Sequence, residues 1–357
     1  MKLSSFLTSL LFSITVVVSE ETPLEVTPLV QNAQCEKPAE RREWRTLDRS
    51  ERKAFIDAVK CLGELPHNPK LTPVGATPDI PSMNLSSSYF DDFVYVHIDS
   101  NIKDHFTALL LPWHRWFLHT FHTALKDKCA YGGVMPYWNW SLDVGNITNS
   151  PIFDADPESG LGTFGTSADD KWEVKDGAFG TTIRAYPVPH VVSRKFNPRP
   201  FDNHVFPFGF NAPEMHATQP FAPEAMENIV EGSTGNFTDF AYKIDGVTAQ
   251  GPHNAAHLMM GGDMGNLLWS PNDPLFYLHH AHIDCIWEKW QDRRPENAMA
   301  FGGGLTQDVE NYHLYPVGAP PAANFSSLLP TEGLSPPAQV SDMMSTKRSN
   351  LCYKCIW

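Results

Sequence analysis

Apolar side chains recur with the period of an α-helix in several stretches of the chain, which are separated by polar or proline-rich segments. The first such stretch starts near Ser50 and places Phe55, Val59 and Leu62 on one face, with charged residues between them. Pro66 cannot continue a helix and ends it. The pattern therefore predicts one amphipathic helix followed by a loop over residues 67–85.

Two further helices are predicted from the aromatic-rich segment that follows this loop. Residues 89–98 have the pattern of a helix that would carry His97, with His105 in a less regular connection after it. Pro112 suits the first position of the next helix, because no intrahelical N–H bond is needed there. Apolar spacing of three and four residues then predicts an inward face with these members: His114, Leu118, Phe121 and Leu125.

The segment NDPLFYLHHAHIDCIWEKW, residues 272–290, predicts a last helix that begins at about Leu275. On such a helix His280 and Asp284 are one turn apart and share a face, and Phe276 lies one turn before them. We expect Phe276 to pack against an imidazole and Asp284 to orient either the helices or a histidine. Upstream, the sequence HNAAH places His253 and His257 on one face of another helix.

The rest of the chain lacks strong periodicity. Residues 141–250 show little helical pattern and predict irregular structure over a helical core. Residues 316–357 are rich in proline and serine and predict a C-terminal tail closed by cysteines, after a single main domain over residues 20–315. The expected fold class is mainly α, with a central four-helix bundle wrapped by long irregular loops.

Charge and leader sequence narrow the functional classes. The net charge of −14 argues against binding to nucleic acid or to an anionic membrane surface, since both need basic patches. Residues 1–19 combine one lysine with an apolar run and are typical of a secretory signal peptide, and no later run is long enough to span a membrane. We therefore expect a soluble, secreted protein.

Cysteines and sequons agree with secretion. Six cysteines permit up to three disulfides in an oxidising compartment, and the sequence leaves their fifteen possible pairings open. Sequons predict a glycoprotein, although the apolar surroundings of Asn139 argue against a glycan there. The five sequon asparagines are Asn84, Asn139, Asn146, Asn236 and Asn324.

Six histidines form two sets of three that indicate a metal site. The HxxxH pair does not match a zinc peptidase, because Asn254 stands where that motif needs glutamate. A ligand set of imidazoles without cysteine or carboxylate favours copper. The two sets are His97, His105 and His114, and His253, His257 and His280.

Two motifs resemble the copper motifs of the tyrosinase and catechol oxidase (polyphenol oxidase) family, in particular its short secreted fungal members. They are His105-x8-His114, which contains Leu-Pro-Trp-His-Arg, and Asp273-Pro-Leu-Phe followed by His280-x3-Asp284. The resemblance implies a copper-dependent oxidoreductase with two copper ions, one on each set of histidines. It also implies dioxygen and small phenolic substrates as partners, conversion of catechols into quinones, and a non-ligand role for His279.

Departures from the family pattern bear on the substrate. Asn254 matches relatives in which asparagine and an upstream glutamate hold a water, but Ala249 stands at that glutamate position. Leu267 aligns with a position that overhangs one copper and should leave the entrance open. His122 replaces a usual glutamate, and no cysteine between Cys61 and Cys129 could form the thioether found in many relatives. We expect oxidation of o-diphenols with weak or no hydroxylation of monophenols.

Two alternatives stay open at this point. The enzyme could oxidise substituted phenols of the guaiacol type or tyrosine in a peptide, in a biosynthetic pathway. A six-histidine site could also belong to a hemocyanin-like dioxygen-binding protein. The sequence leaves the oligomeric state open.

Overall fold

Helices form the centre of the protein in the computed structural model, which describes residues 35–202, 210–348 and 350–357. The expected mainly α class is confirmed, whereas the expected signal peptide at residues 1–19 lies outside the described residues. The helices in chain order are α1 (Arg49–Glu64), α2 (Tyr89–Asp104), α3 (Leu110–Cys129), α4 (Pro223–Gly232), α5 (Phe237–Asp245), α6 (Pro252–Met260), α7 (Leu275–Arg293), α8 (Pro295–Ala298) and α9 (Val340–Met343).

Capping residues fix the starts of the first two helices. Asp48 caps α1 by accepting the amide of Glu51, whose carboxylate accepts the amide of Asp48 in return. Ser88 and Asp91 form the same reciprocal pair at α2. The α2 helix then continues to Asp104, past the predicted end at residue 98, so that His97 lies inside it and His105 caps it.

The region predicted to be irregular contains two helices that periodicity did not reveal. The α4 and α5 helices span ten and nine residues, which is too short for apolar spacing to stand out from flanking loops. The remainder of residues 141–250 runs as loops and short turns, as expected, over the buried aromatic core.

Short strands and disulfides tie the C-terminal region to the rest of the fold. The strands pair as β1 (Ala39–Arg41) with β6 (Tyr353–Cys355) in parallel, and as two antiparallel pairs, β2 (Ile183–Arg184) with β3 (His190–Val191) and β4 (Leu328–Leu329) with β5 (Ala338–Gln339). The disulfides join Cys35 to Cys352, Cys61 to Cys129 and Cys285 to Cys355. The segment expected to be a tail thus packs along α3 and α7.

Two buried aspartates, each paired with arginine, hold α7 in place. Arg194 donates two hydrogen bonds to Asp273, and Asp273 also accepts the amide of Leu275 in the first turn of α7. Farther along the helix, Asp284 accepts hydrogen bonds from Arg115 of α3 and from Arg41 beside the β1–β6 pair. Asp284 therefore connects α7 to α3 and to β1.

Within the described residues, no helix combines the length and the apolar character needed to cross a membrane. Four of the sequon asparagines are exposed, and Asn139 is half-buried, with its side-chain oxygen accepting the amide of Ser141. The fold thus leaves four sequons accessible.

Candidate metal centre

Four helices bring the two sets of histidines together. The first group contains His97 within α2, His105 at its end and His114 on α3, and their nearest ring nitrogens all lie within 4.8 Å of one another. The second group contains His253 and His257 of α6 and also both histidines at the centre of α7, His279 and His280. The two groups contain the six histidines named from the sequence and, in addition, His279.

The two groups face each other across a short distance. The rings of His114 and His280 stack with centroids 4.1 Å apart and planes 8° from parallel. The centroids of His105 and His253 lie 6.3 Å apart. One compact cluster of imidazoles therefore contains both groups.

Backbone carbonyls fix the orientation of three of these imidazoles. Nδ1 of His97 donates to the carbonyl of Leu268 at 2.7 Å, and Nδ1 of His114 donates to the carbonyl of Leu110 at 2.8 Å. Nδ1 of His257 donates to the carbonyl of Met264 at 2.7 Å. A carbonyl only accepts, so the proton of each neutral ring lies on Nδ1 and the lone pair of Nε2 is free. This is the tautomer that a metal-binding histidine needs.

The Nε2 atoms of His97, His114 and His253 are buried and have no hydrogen-bond partner. A buried polar atom without a partner is costly, and a bound metal ion would satisfy several of these atoms at once. Imidazole nitrogens without thiolate among them suit copper. The residues present therefore fit the two copper ions that the sequence motifs imply.

His280 is held mainly by ring contacts, and its Nε2 lies 3.4 Å from Nε2 of His257. Its Nδ1 has no partner, while its ring stacks on His114 and packs against Phe276 at 4.2 Å between centroids. Phe276 also contacts His97 edge-on at 5.1 Å. Phe276 thus contacts one imidazole from each group.

His253 has a carboxylate partner. Its Nδ1 lies 2.9 Å from Oδ1 of Asp245, the last residue of α5, and Oδ2 of Asp245 accepts the amide of Phe106 at 3.1 Å. Burial raises the pKa of Asp245 to about 7, although the neighbouring His105 and the Phe106 amide counteract this rise.

His279 differs from the other histidines in its tautomer. The indole N–H of Trp140 donates to its Nδ1 at 3.1 Å. Since an indole nitrogen can only donate, Nδ1 of His279 must be the acceptor, and the proton of the neutral ring lies on Nε2. That proton disfavours metal binding by Nε2, even though His279 lies among the second group.

Burial lowers the pKa of all six candidate ligands, and in the five other than His253 the neighbouring imidazoles add to the effect. The pKa falls to about 3 for His105 and His257 and to about 4 for His253. It falls well below the usual value for His97, His114 and His280. The ligands are therefore neutral at physiological pH, as metal binding requires.

A small cleft of about 130 Å³ opens onto the cluster between α6 and the loop that follows it. Its walls include the rings of His105, His253 and His257, with Asn254 on one side and Leu267 at the rim. Leu267 is 44 % exposed, so it borders the entrance without closing it. Ligand pockets for drug-sized molecules measure roughly 300–1,000 Å³, so this cleft suits one aromatic ring.

The remaining histidines have other contacts. His122 bonds the carbonyl of Gly133, His190 bonds Asp263, and His282 stacks on Tyr137. His119 stacks on Trp116 and His216 is exposed. These contacts are those of structural or surface side chains; His204 lies outside the described residues.

Sequence reasoning missed the groups that orient the ligands. Asp245 lies on a helix that was not predicted, and Trp140 was read only as part of an apolar run. The carbonyls of Met264 and Leu268 belong to a loop, and backbone acceptors carry no side-chain signal. A carboxylate eight residues before His253 was visible, but only the fold shows that it reaches the imidazole.

Comparison with known proteins gives consistent matches. The family model described as the common central domain of tyrosinase matches residues 87–293. The tyrosinase-like protein phomQ1 of Diaporthe leptostromiformis is 31% identical over 90% of this chain and 78% of that protein. The N-acetyl-6-hydroxytryptophan oxidase ivoB of Emericella nidulans is 28% identical over 99% of this chain and 100% of that protein. The structure of a polyphenol oxidase mutant from Thermothelomyces thermophila superposes with a TM-score of 0.67 and 25% identity, covering 90% and 89% of the two chains.

Proposed function

The chain belongs to the tyrosinase family of copper oxidoreductases, and on that premise we propose that it is a dicopper polyphenol oxidase that oxidises o-diphenols to o-quinones. Dioxygen is the oxidant, so that two diphenols yield two quinones and two waters. The observation that carries the proposal is the pair of facing histidine groups, several of whose Nε2 atoms are buried without a partner.

The protein's own residues would hold and orient the reactants. His97, His105 and His114 would bind the first copper ion, and His253, His257 and His280 the second. Bound copper supplies the electron transfer between the phenol and dioxygen. The narrow cleft would admit one ring, with Leu267 at its rim and Asn254 beside His253.

Preference for diphenols over monophenols follows from the groups near Asn254. Ala249 offers no carboxylate that could hold a base water with Asn254. Asp245, the nearest buried carboxylate on that side, already accepts hydrogen bonds from His253 and Phe106. Without a free base, a monophenol would lose its proton less readily than a diphenol.

A second candidate is the oxidation of a substituted phenol, including a hydroxyindole. One relative, which matches 99% of this chain, is named for N-acetyl-6-hydroxytryptophan, which carries a phenolic ring fused to a larger group. The exposed rim at Leu267 would let such a group extend out of the cleft.

A location outside the cytosol is supported by the covalent structure. All six cysteines form three disulfides, which persist in oxidising compartments.

Oxygen uptake by copper-loaded protein tests both candidates. Catechol, the matching monophenol, guaiacol and N-acetyl-6-hydroxytryptophan would be compared. Uptake with catechol and little with monophenol supports the leading proposal, whereas uptake restricted to the hydroxyindole supports the second. No uptake with any of them by protein that contains two copper ions would refute both and favour a dioxygen-binding role.

A further inference from the structure

One carboxylate links the two histidine groups. Asp245 accepts Nδ1–H of His253 with one oxygen, and with the other it accepts the amide of Phe106, which follows His105 directly. The side chains of Asp245 and His253 are only 3% and 2% exposed. The contact is therefore shielded from water, where a hydrogen bond is electrostatically stronger than in solvent.

This contact sets His253 apart from the other candidate ligands. In the described part of the chain, no other carboxylate hydrogen-bonds one of the six. His97, His114 and His257 donate to backbone carbonyls, His105 lies beside Asn101, and Nδ1 of His280 has no partner. A carboxylate partner makes the imidazole a stronger metal donor than a carbonyl does.

The backbone on both sides is shaped for this contact. Phe106 has a φ of 56°, which is uncommon for an aromatic residue, and this turn directs its amide to Asp245. Gly246 follows Asp245 with a φ of 95° and ends α5. A side chain at Gly246 would lie 2.6 Å from the nitrogen of Gly251, so only glycine lets the chain turn from Asp245 to α6.

We propose that Asp245 is a positioning residue of the metal centre. It fixes the metal-binding tautomer of His253, and it holds His253 at a set distance from the turn at residues 105–106, which carries His105. Its role rests on the proposed dicopper function. Because its two oxygens serve the two groups separately, Asp245 sets the spacing between them as well as the orientation of one ring.

The test is Asp245→Asn, which keeps the size of the side chain but leaves one acceptor for two donors. We expect the affinity for the second copper ion to fall about 10- to 100-fold, as is typical when the partner of a metal-bound histidine is removed. Asp239→Asn on the same helix is the matched control, because the carboxylate of Asp239 is 40% exposed and accepts hydrogen bonds from Ser233 and Lys243, away from the histidines.

Two measurements on the full-length protein decide the outcome. Competition with a chelator gives the affinity for each copper ion, and nitrogen-15 NMR of the copper-free wild-type protein shows which ring nitrogen of His253 carries the proton. A proton on Nδ1 together with weakened copper binding only in Asp245→Asn supports the proposal. A proton on Nε2, or wild-type copper affinity in Asp245→Asn, overturns it.

The NMR measurement needs neither copper nor a folded variant, so it decides the tautomer even if Asp245→Asn does not fold. If the wild-type protein fails to bind two copper ions, the proposed function fails instead. The two failures are thus distinguishable.

Discussion

The indole nitrogen of Trp140 lies 3.1 Å from Nδ1 of His279 and donates a hydrogen bond to it. His280, the next residue, has no such donor and stacks on His114 of the other group. The neighbours of these adjacent imidazoles thus give them different roles. The neutral ring of His279 carries its proton on Nε2, whereas His280 can offer a nitrogen lone pair to a metal ion.

The first prediction separates these neighbours. His280→Ala should remove one copper ion per chain and abolish oxidation, because a ligand is lost. His279→Ala should leave copper largely bound. Copper content by atomic absorption, measured beside oxygen uptake, checks both variants. Loss of copper in His279→Ala with retention in His280→Ala would reverse the ligand assignment.

The second prediction concerns Trp140 itself. Trp140→Phe keeps an aromatic ring but leaves Nδ1 of the buried His279 without a donor. An unsatisfied buried polar group costs about 1–3 kcal/mol, so the free energy of unfolding should fall by at least that amount. Denaturant unfolding of the copper-free protein measures it. Copper content should be unchanged, and a loss of copper here would show that His279 is a ligand.

The third prediction concerns acid stability. Burial alone would raise the pKa of Asp284, but Arg115, Arg41 and the hydroxyl of Tyr353 outweigh it and hold this pKa below its usual value. A carboxylate with a depressed folded-state pKa stabilises the fold above its unfolded pKa of about 3.9, and this stability is lost as the pH falls through the folded pKa.

Asp284→Asn should lower the free energy of unfolding by about 3–5 kcal/mol at neutral pH, because Arg115 and Arg41 stay buried without their partner. Unfolding curves between neutral and acidic pH should also show a weaker loss of stability at low pH than in the wild type. A variant as stable as the wild type at neutral pH would show that this ion pair contributes little.

The fourth prediction concerns alkaline conditions. Burial, with the negative charges of Asp104 and Asp99, raises the pKa of Glu332 to about 9, and neither of its carboxylate oxygens has a hydrogen-bond partner. The folded protein retains this proton, whereas the unfolded chain releases it near pH 4.3. The free energy of unfolding therefore falls as the pH rises towards 9, by at most about 1.4 kcal/mol per pH unit.

Glu332→Gln should flatten this fall between pH 6 and pH 9, whereas Glu310→Gln at an exposed site should not. Unfolding free energies of the copper-free proteins, measured at several pH values, provide the comparison. Equal slopes in the wild type and in Glu332→Gln would show that Glu332 does not titrate in this way.

The fifth prediction concerns the disulfide between Cys285 of α7 and Cys355 of β6. Replacing both cysteines by alanine should lower the free energy of unfolding by about 2–5 kcal/mol, since the unfolded chain gains freedom. Thermal unfolding measures the loss. The control is the same replacement of Cys61 and Cys129. Their disulfide spans 68 residues of sequence, compared with 70 for Cys285 and Cys355, and does not involve α7. Only the first replacement should weaken copper binding.

The sequence predicted the parts of the site that have regular spacing. The ligand histidines lie on helices or at a helix end, where a period of 3.6 residues carries the signal, and Phe276 follows from the same spacing. Asp245 and Trp140 act across the fold, from segments separated from their partners by loops. Asp284 illustrates the limit: its position on α7 was predictable, but its partners Arg41 and Tyr353 come from opposite ends of the described chain.

The parallel pairing of β1 with β6 has a consequence for the order of assembly. Cys355 forms a disulfide with Cys285 of α7, which precedes it by 70 residues. The strand that contains Cys355, β6, pairs with β1 near the start of the described chain. Contacts between such distant segments form late, because closing a long loop costs entropy first. The helix that carries His280 is therefore covalently secured only after the chain has been synthesised as far as Cys355.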